Sequence, residues 1–464
     1  MVDLSIKNAL IYDGSGEKAF YGNVTVDKGK IVDVSDEVIK AKKIVDANGL
    51  ALAPGFIDVH SHSDQSIIKA PHRDHVLKMG VTTEIAGQCG VSISPDNKNI
   101  PSHTRPVSYD IFNNLQDVIT ELNGLEVGTN QHYFTGHGLL RYATVGTEAR
   151  KSTPDELKHM QDALASEIKY GSAGFSTGLS YVPGIYSDTN ELAMLAKVAG
   201  KNGGMYTTHS RSESMGLFDS VQECIDIAKV GNVKVNISHF KCVGKVFWER
   251  CEKALKMIDD AIENGLDITL DAYPYIAAST TTLSAIPPQF LDKGVKSFVK
   301  SLENENIVNA IRREIFEVND PSWDNSIYYV GLENFLIVRA NNTPQFVGKS
   351  YAQAGKLLRM SPFDAMIHLL KANNGTVYEC RFSMCEENVE TILKHPKCMV
   401  GSDGIYRPGD LLAHPRAFGT FPRYLGHYIR NKGILSREEG IRRITSMGVG
   451  FYQTTIRQIC TSLS

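Results

Sequence analysis

Long apolar runs are missing from this 464-residue chain, and so is any excess of charge of one sign. No stretch approaches the roughly 18 consecutive apolar residues of a membrane-spanning helix. The start, Met1-Val2-Asp3-Leu4-Ser5-Ile6-Lys7, lacks the charged and then apolar segments of an export signal. Lys and Arg number 49 against 52 Asp and Glu; the net charge of −3 gives no long-range attraction to nucleic acid or to an anionic membrane. The 8 cysteines fall without a Cys-x-x-Cys pair or a dense paired spacing, which excludes a secreted disulfide framework. A soluble, unexported protein of a reducing cytoplasm is the expectation.

What the chain has is apolar material. Hydrophobic residues make up 42% against 22% charged, enough for a large core. The length implies two or three domains unless one α/β barrel absorbs most of it. Residues 1–53 read as short β-runs separated by turns such as Asp13-Gly14-Ser15-Gly16 and Lys28-Gly29-Lys30, a module too small to bury a core alone. From residue 54 the rhythm changes to short apolar or β-branched runs alternating with helical patterns, the mark of parallel βαβ units. The runs are 56–60, 82–86, 131–135, 173–177, 205–209, 233–239, 267–273 and 398–403. Eight of them predict an α/β fold built as a closed (β/α)8 barrel over 54–447. A ninth run, 377–384, has no place in that count. Helices are predicted over 153–169, where Thr153-Pro154-Asp155-Glu156 supplies an N-cap and an acidic first turn, and over 248–263. Residues from about 285 to 350, rich in Asn, Pro and charge, read as an insertion into one barrel loop.

The polar residues of interest end these runs, where barrel enzymes place their sites. In Asp58-Val59-His60-Ser61-His62-Ser63-Asp64 the period of two points His60 and His62 the same way, so both rings can converge on one ion. Two histidines on one strand face are as readily hydrogen-bonded structural residues; the flanking carboxylates favour a metal. Cys89, His209 and His239 end the second, fifth and sixth runs, and one thiolate with two imidazoles suits tetrahedral Zn²⁺ with a fourth position open to water. Taken singly, each is an ordinary buried thiol or core histidine. Asp403, in Gly401-Ser402-Asp403-Gly404, can ligate a cation, take a proton from water, or simply form an Asp-Gly turn.

In this order the residues resemble the amidohydrolase superfamily, and within it the N-acyl-D-amino-acid deacylases (D-aminoacylases). The superfamily hallmark is Gly55 to His62. More specific are Gly80-Val81-Thr82-Thr83-Glu84 leading to Gln88-Cys89-Gly90, Gly174 to Leu179, Thr208 to Glu213, Ile237 to Lys241, Leu270 to Tyr275, and His414-Pro415-Arg416 to Arg423. The resemblance implies a tightly held Zn²⁺ on Cys89, His209 and His239, and a weaker second metal site on His60, His62 and Asp403. It also implies Asp403 as catalytic base, Tyr181 as the group polarising the scissile carbonyl, and Lys241, Tyr273, Ser279 and Arg416 as holders of the substrate carboxylate. The implied activity is hydrolysis of N-acyl-D-amino acids. The rivals are a cyclic-amide hydrolase of the hydantoinase or dihydropyrimidinase kind, which Cys89 in place of a lysine ligand argues against, and an inactive barrel kept as a scaffold. The uncharged segment Ile276 to Leu283 leans towards neutral or apolar D-amino acids.

The family's strand-forming tail is the point of departure. Here the chain reads Gly448-Val449-Gly450-Phe451-Tyr452 and stops at Ser464. The implied N-terminal β-sandwich is therefore expected to be truncated, with 448–464 an atypical tail and the module's edges left open or covered in a homo-oligomer.

Overall fold

The computed structural model describes residues 1–96, 111–318, 320–406 and 412–452. The N-terminal residues form β1 (Val2–Ile11), β2 (Phe20–Asp27), β3 (Lys30–Ser35), β4 (Ala41–Asp46) and β5 (Ala51–Leu52). Strands β1 to β3 are consecutive antiparallel partners, as the turns predict, whereas β4 and β5 run parallel to β1. Among the described residues this is one sheet, in the order β3-β2-β1-β4, rather than the two layers of a sandwich. Its small core is Ala9, Ile11 and Val24.

All eight runs read from 54 onward become strands: β6 (Phe56–Asp58), β7 (Val81–Ala86), β8 (Asn130–Tyr133) continuing through Phe134 into β9 (Thr135–Gly136), β10 (Gly174–Gly178), β11 (Met205–His209), β12 (Val235–Ile237), β13 (Ile268–Ala272) and, far along the chain, β17 (Cys398–Val400). Pairing is parallel throughout, β6-β7-β8 and β9-β10-β11-β12-β13-β17. A parallel bridge from Ser61 to Gly404 and a bond from Asp403 N–H to the His60 carbonyl (2.7 Å) bring the last run back to the first.

Strand residues Phe175, Tyr206, Val235, Ile237 and Leu270 meet helical Leu192, Leu195, Val221, Ile225 and Ile258 in one continuous core. Each such side chain contributes roughly 1.5–3 kcal/mol by leaving water. The helix Pro154–Lys169 has the predicted start, a capping box in which Thr153 and Glu156 satisfy each other's backbone N–H. The helix expected from 248 begins instead at Cys251, after a tighter turn over Lys245–Arg250.

Two expectations are corrected. The inserted unit is larger than 285–350: β14 (Ala277–Thr281), β15 (Phe335–Arg339) and β16 (Tyr378–Phe382) form their own antiparallel sheet in the order β14-β16-β15, with a separate core that includes Phe298, Ile311, Phe335, Tyr351 and Leu370. The ninth run is β16 of this sheet. The expected truncation is not supported. The tail beyond 452 lies outside the described residues, and the part within them is structural. Phe451 and Tyr452, on and just after the helix Ser446–Phe451, pack with Ile57, Val59, Phe134 and Met399. No helix among the described residues is long and apolar enough to cross a membrane.

Candidate active site

The strand ends converge. Asp58 Oδ1 accepts from the N–H of His60 (3.2 Å) and of Ser402 (2.8 Å), tying the first run to the last just below the site. Cys89 Sγ then lies 3.4 Å from Nε2 of both His60 and His239. His62 Nε2 is 3.1 Å and His60 Nε2 3.6 Å from Asp403 Oδ1. His209 gives its Nε2 to the Ser180 hydroxyl (2.8 Å), while its buried Nδ1 has no hydrogen-bond partner.

Two ligand sets result: Cys89 with His209 and His239, and Cys89 with His60, His62 and Asp403, the ligand atoms of each set within 4.8 Å of one another. These residues fit a metal. The edge of a tetrahedron with ordinary Zn–S and Zn–N bonds is about 3.5 Å, close to the observed Cys89–His239 separation. The orphaned His209 Nδ1 is a free lone pair in the first set. Cys89 belongs to both sets, so it is the one candidate bridge.

Three of these residues sit in the left-handed backbone region, Cys89 (φ 55°), His239 (φ 36°) and Asp403 (φ 49°). Non-glycine residues avoid it, at a cost of order 1–3 kcal/mol each, and such strain collects at functional sites. Around Cys89 the chain also passes too close for side chains: a Cβ on Gly87 would meet the Phe134 carbonyl oxygen at 2.2 Å, and one on Gly90 the Gly178 nitrogen at 2.7 Å. That is the physical content of Gly-Gln-Cys-Gly.

Charge follows geometry. Burial works against ionising Cys89, but the His60 and His239 imidazoles outweigh it and hold the thiol well below its ordinary range. Burial likewise opposes the charged form of His60, and Asp271 and the thiolate overcome it. Asp403 is held well below the usual carboxylate range against its burial, by Arg416 first (Nη1–Oδ2 2.8 Å) and then by His62. Asp58, with burial dominant, is pushed up to about 7. The cluster thus gathers positive charge on a thiolate and a carboxylate, the task a metal dication would perform.

The other residues singled out in the sequence lie at the same end. Tyr181 bonds the Thr280 hydroxyl (3.0 Å) with its ring 4.8 Å from that of His209. The buried Tyr273 hydroxyl has no partner, and its ring lies 4.8 Å from the Arg416 guanidinium and 5.7 Å from the Lys241 ammonium. Ser279, on β14, accepts from Arg416 Nη2 through its carbonyl (3.0 Å), so the inserted sheet walls the site. Lys241 is buried against a residue to which sequence reading gave no role, Glu213 (Nζ–Oε1 2.5 Å). A second such residue is Asp271, whose carboxylate stands 3.2 Å from His60 Nδ1 and accepts from His239 N–H (2.8 Å). Both lie inside motifs quoted above; an acidic residue one turn or one strand away from a ligand histidine was the available signal.

No protein-family model matches the chain. It is 28% identical to the D-aminoacylase of Alcaligenes xylosoxydans xylosoxydans over 456 residues, covering 96% of this chain and 83% of that one. It is equally identical, over 452 residues, to the N-acyl-D-glutamate deacylase of the same organism, covering 96% and 82%. The crystal structure of N-acyl-D-glutamate deacylase from Bordetella bronchiseptica, in complex with zinc and a phosphonate mimic of the tetrahedral intermediate, superposes with a TM-score of 0.83 at 28% identity, over 97% of this chain and 86% of that one. The chain is similar to D-aminoacylases over nearly its whole length.

Proposed function

We propose that this chain is a zinc-dependent deacylase that hydrolyses the amide bond of N-acyl-D-amino acids, giving a carboxylate and a free D-amino acid. The ring of parallel strands is read as a (β/α)8 hydrolase barrel, with the 1–53 sheet as its small accessory module. The observation that carries the reading is the pair of ligand sets sharing Cys89. Cys89, His209 and His239 would hold the tightly bound Zn²⁺, and His60, His62 and Asp403 a weaker second ion. When bound, zinc supplies a Lewis acid that lowers the pKa of water and stabilises developing negative charge on the carbonyl oxygen.

The chain's own residues do the rest. Asp403, ionised at neutral pH, takes the proton of the attacking water and returns it to the leaving amine. Its pairing with Arg416 bears on timing. A substrate carboxylate that reaches Arg416 shares the guanidinium and loosens its hold on Asp403, so the base strengthens as the substrate binds. Tyr181, its hydroxyl fixed by Thr280, donates to the carbonyl oxygen. Tyr273, with its unpaired hydroxyl, joins Arg416, Lys241 and Ser279 in holding the α-carboxylate. Wild type and Asp403→Ala assayed on a stereopaired panel of N-acetyl-amino acids test this. Turnover of D but not L members, lost in the variant, is expected; equal turnover of both series sinks the assignment.

A further inference from the structure

His239 has two neighbours competing for one nitrogen. Its Nδ1 stands 3.0 Å from Glu213 Oε1 and 2.7 Å from Lys241 Nζ. The two contacts demand opposite tautomers. A proton on Nδ1 is donated to Glu213 and leaves the Nε2 lone pair free towards Cys89, as a metal ligand requires; a proton donated from Lys241 to Nδ1 puts the ring's own proton on Nε2 and closes that position. Glu213 bears on the choice, because its Oε1 faces both Nδ1 and the Lys241 ammonium (2.5 Å): the carboxylate draws the ring proton to Nδ1 and offers the ammonium a stronger, charged acceptor than the imidazole nitrogen.

Glu213 itself lies on an irregular loop after β11 and depends on the inserted unit for its place. Asp324 accepts from Glu213 N–H (2.6 Å) through Oδ2 and from the hydroxyls of Ser212 and Ser214 through Oδ1. Val243 N–H to the Glu213 carbonyl (2.7 Å) fixes the other side. We propose that Glu213 is a positioning residue that selects the ligating tautomer of His239 by accepting from Nδ1 and restraining Lys241, and that Asp324 of the insertion holds it there. The inference rests on the reading of His239 as a metal ligand.

Purified protein stripped of metal and titrated with Zn²⁺ against a chromophoric chelator tests it. Supporting partners of this kind are worth about 10–100-fold in metal affinity, and Glu213→Ala is expected to lose that much. Adding Lys241→Met to Glu213→Ala removes the rival donor and is expected to recover most of the affinity, a rescue that damaged packing would not give. Asp324→Asn falls between wild type and Glu213→Ala, and it carries the test should Glu213→Ala not fold. Affinity unchanged in Glu213→Ala, or no higher in the double variant than in the single one, overturns the proposal; so does wild-type affinity in Asp324→Asn if that variant alone folds. Wild type that binds no Zn²⁺, or His239→Ala that binds it as wild type does, overturns instead the metal reading beneath it.

Discussion

The ring of parallel strands and the N-terminal sheet are made of similar short β-runs and end in opposite conditions. Among the described residues the parallel strands pair as two sheets whose first and last runs meet at the Ser61–Gly404 bridge, and their ends carry buried histidines, a thiol and carboxylates. Among the described residues the N-terminal sheet leaves β3 and β4 as open edges, with Ile31 67% and Ile44 51% exposed. On the proposed barrel reading, closure is what makes the difference. A closed ring removes its edges and shelters one mouth from water, where electrostatic interactions strengthen and strained backbone is held. An open sheet of five strands can do neither, and it guards its edges with Lys30, Lys42 and Lys43 instead.

The contrast breaks most sharply at the carboxylates. Asp403→Asn, at the mouth, should lower kcat on N-acetyl-D-amino acids by about 100- to 10,000-fold, the usual contribution of a positioned general base, and leave far-ultraviolet circular dichroism unchanged. Asp46→Asn, on β4, should leave kcat as it is. A comparable loss from Asp46→Asn would mean that the sheet shapes the site.

Acid stability should divide along the same line. Around the ring, buried Glu191 meets His137 (2.7 Å), Arg141 (2.5 Å) and the Ser152 hydroxyl. Burial opposes its charge, yet His137 and Arg141 hold it down to about 2 from an ordinary 4.5. A depressed carboxylate stabilises the fold fully above its unfolded pKa, so this contribution is present above about pH 4.5 and is lost as pH falls through 2. It amounts to on the order of 3 kcal/mol. Urea unfolding followed from pH 6 to pH 2.5 should show that slope, and Glu191→Gln should flatten it. The lowered carboxylates of the module, Asp3, Asp13 and Asp46, are exposed to solvent and should add little.

Zinc extends the comparison to binding. A ligand held only by the folded chain stabilises it by about 2.7 kcal/mol at 100 times Kd. Removing metal with a chelator should lower the unfolding temperature of wild type by several degrees, and should do nothing to Cys89→Ser, which has lost the shared ligand. An equal shift in both would place the stabilising metal elsewhere.

How much of this was legible follows from what each feature depends on. The eight parallel runs announce themselves locally, in β-branched residues that end on a polar one, and so do His60, His62, Cys89, His209, His239 and Asp403. Val377 to Met384 has the same local look; only its partners, β14 and β15, assign it to another sheet. One of those partners, Ala277–Thr281, falls in the uncharged segment Ile276 to Leu283, to which sequence reading assigns no strand. The left-handed φ of Cys89, His239 and Asp403 is imposed by neighbouring strands, and only the glycines around Cys89 hint at it. Glu213 is the clearest case of what sequence hides. Its carboxylate matters because Asp324, 111 residues away, fixes the loop that carries it.

The smallest expected effect sharpens the contrast from the other side. Ile44, on the β4 edge, already meets water, so Ile44→Lys should change the unfolding free energy by no more than about 0.5 kcal/mol, the usual range for surface positions. The added charge should also make that edge a poorer template for pairing. Unfolding measured at two protein concentrations, together with size-exclusion elution, checks both points. Unfolding that depends on concentration in wild type, and becomes independent of it in Ile44→Lys with a loss well above 0.5 kcal/mol, would mean that a second copy covers this edge in solution, and the sheet would then owe its order to association rather than to its own pairing.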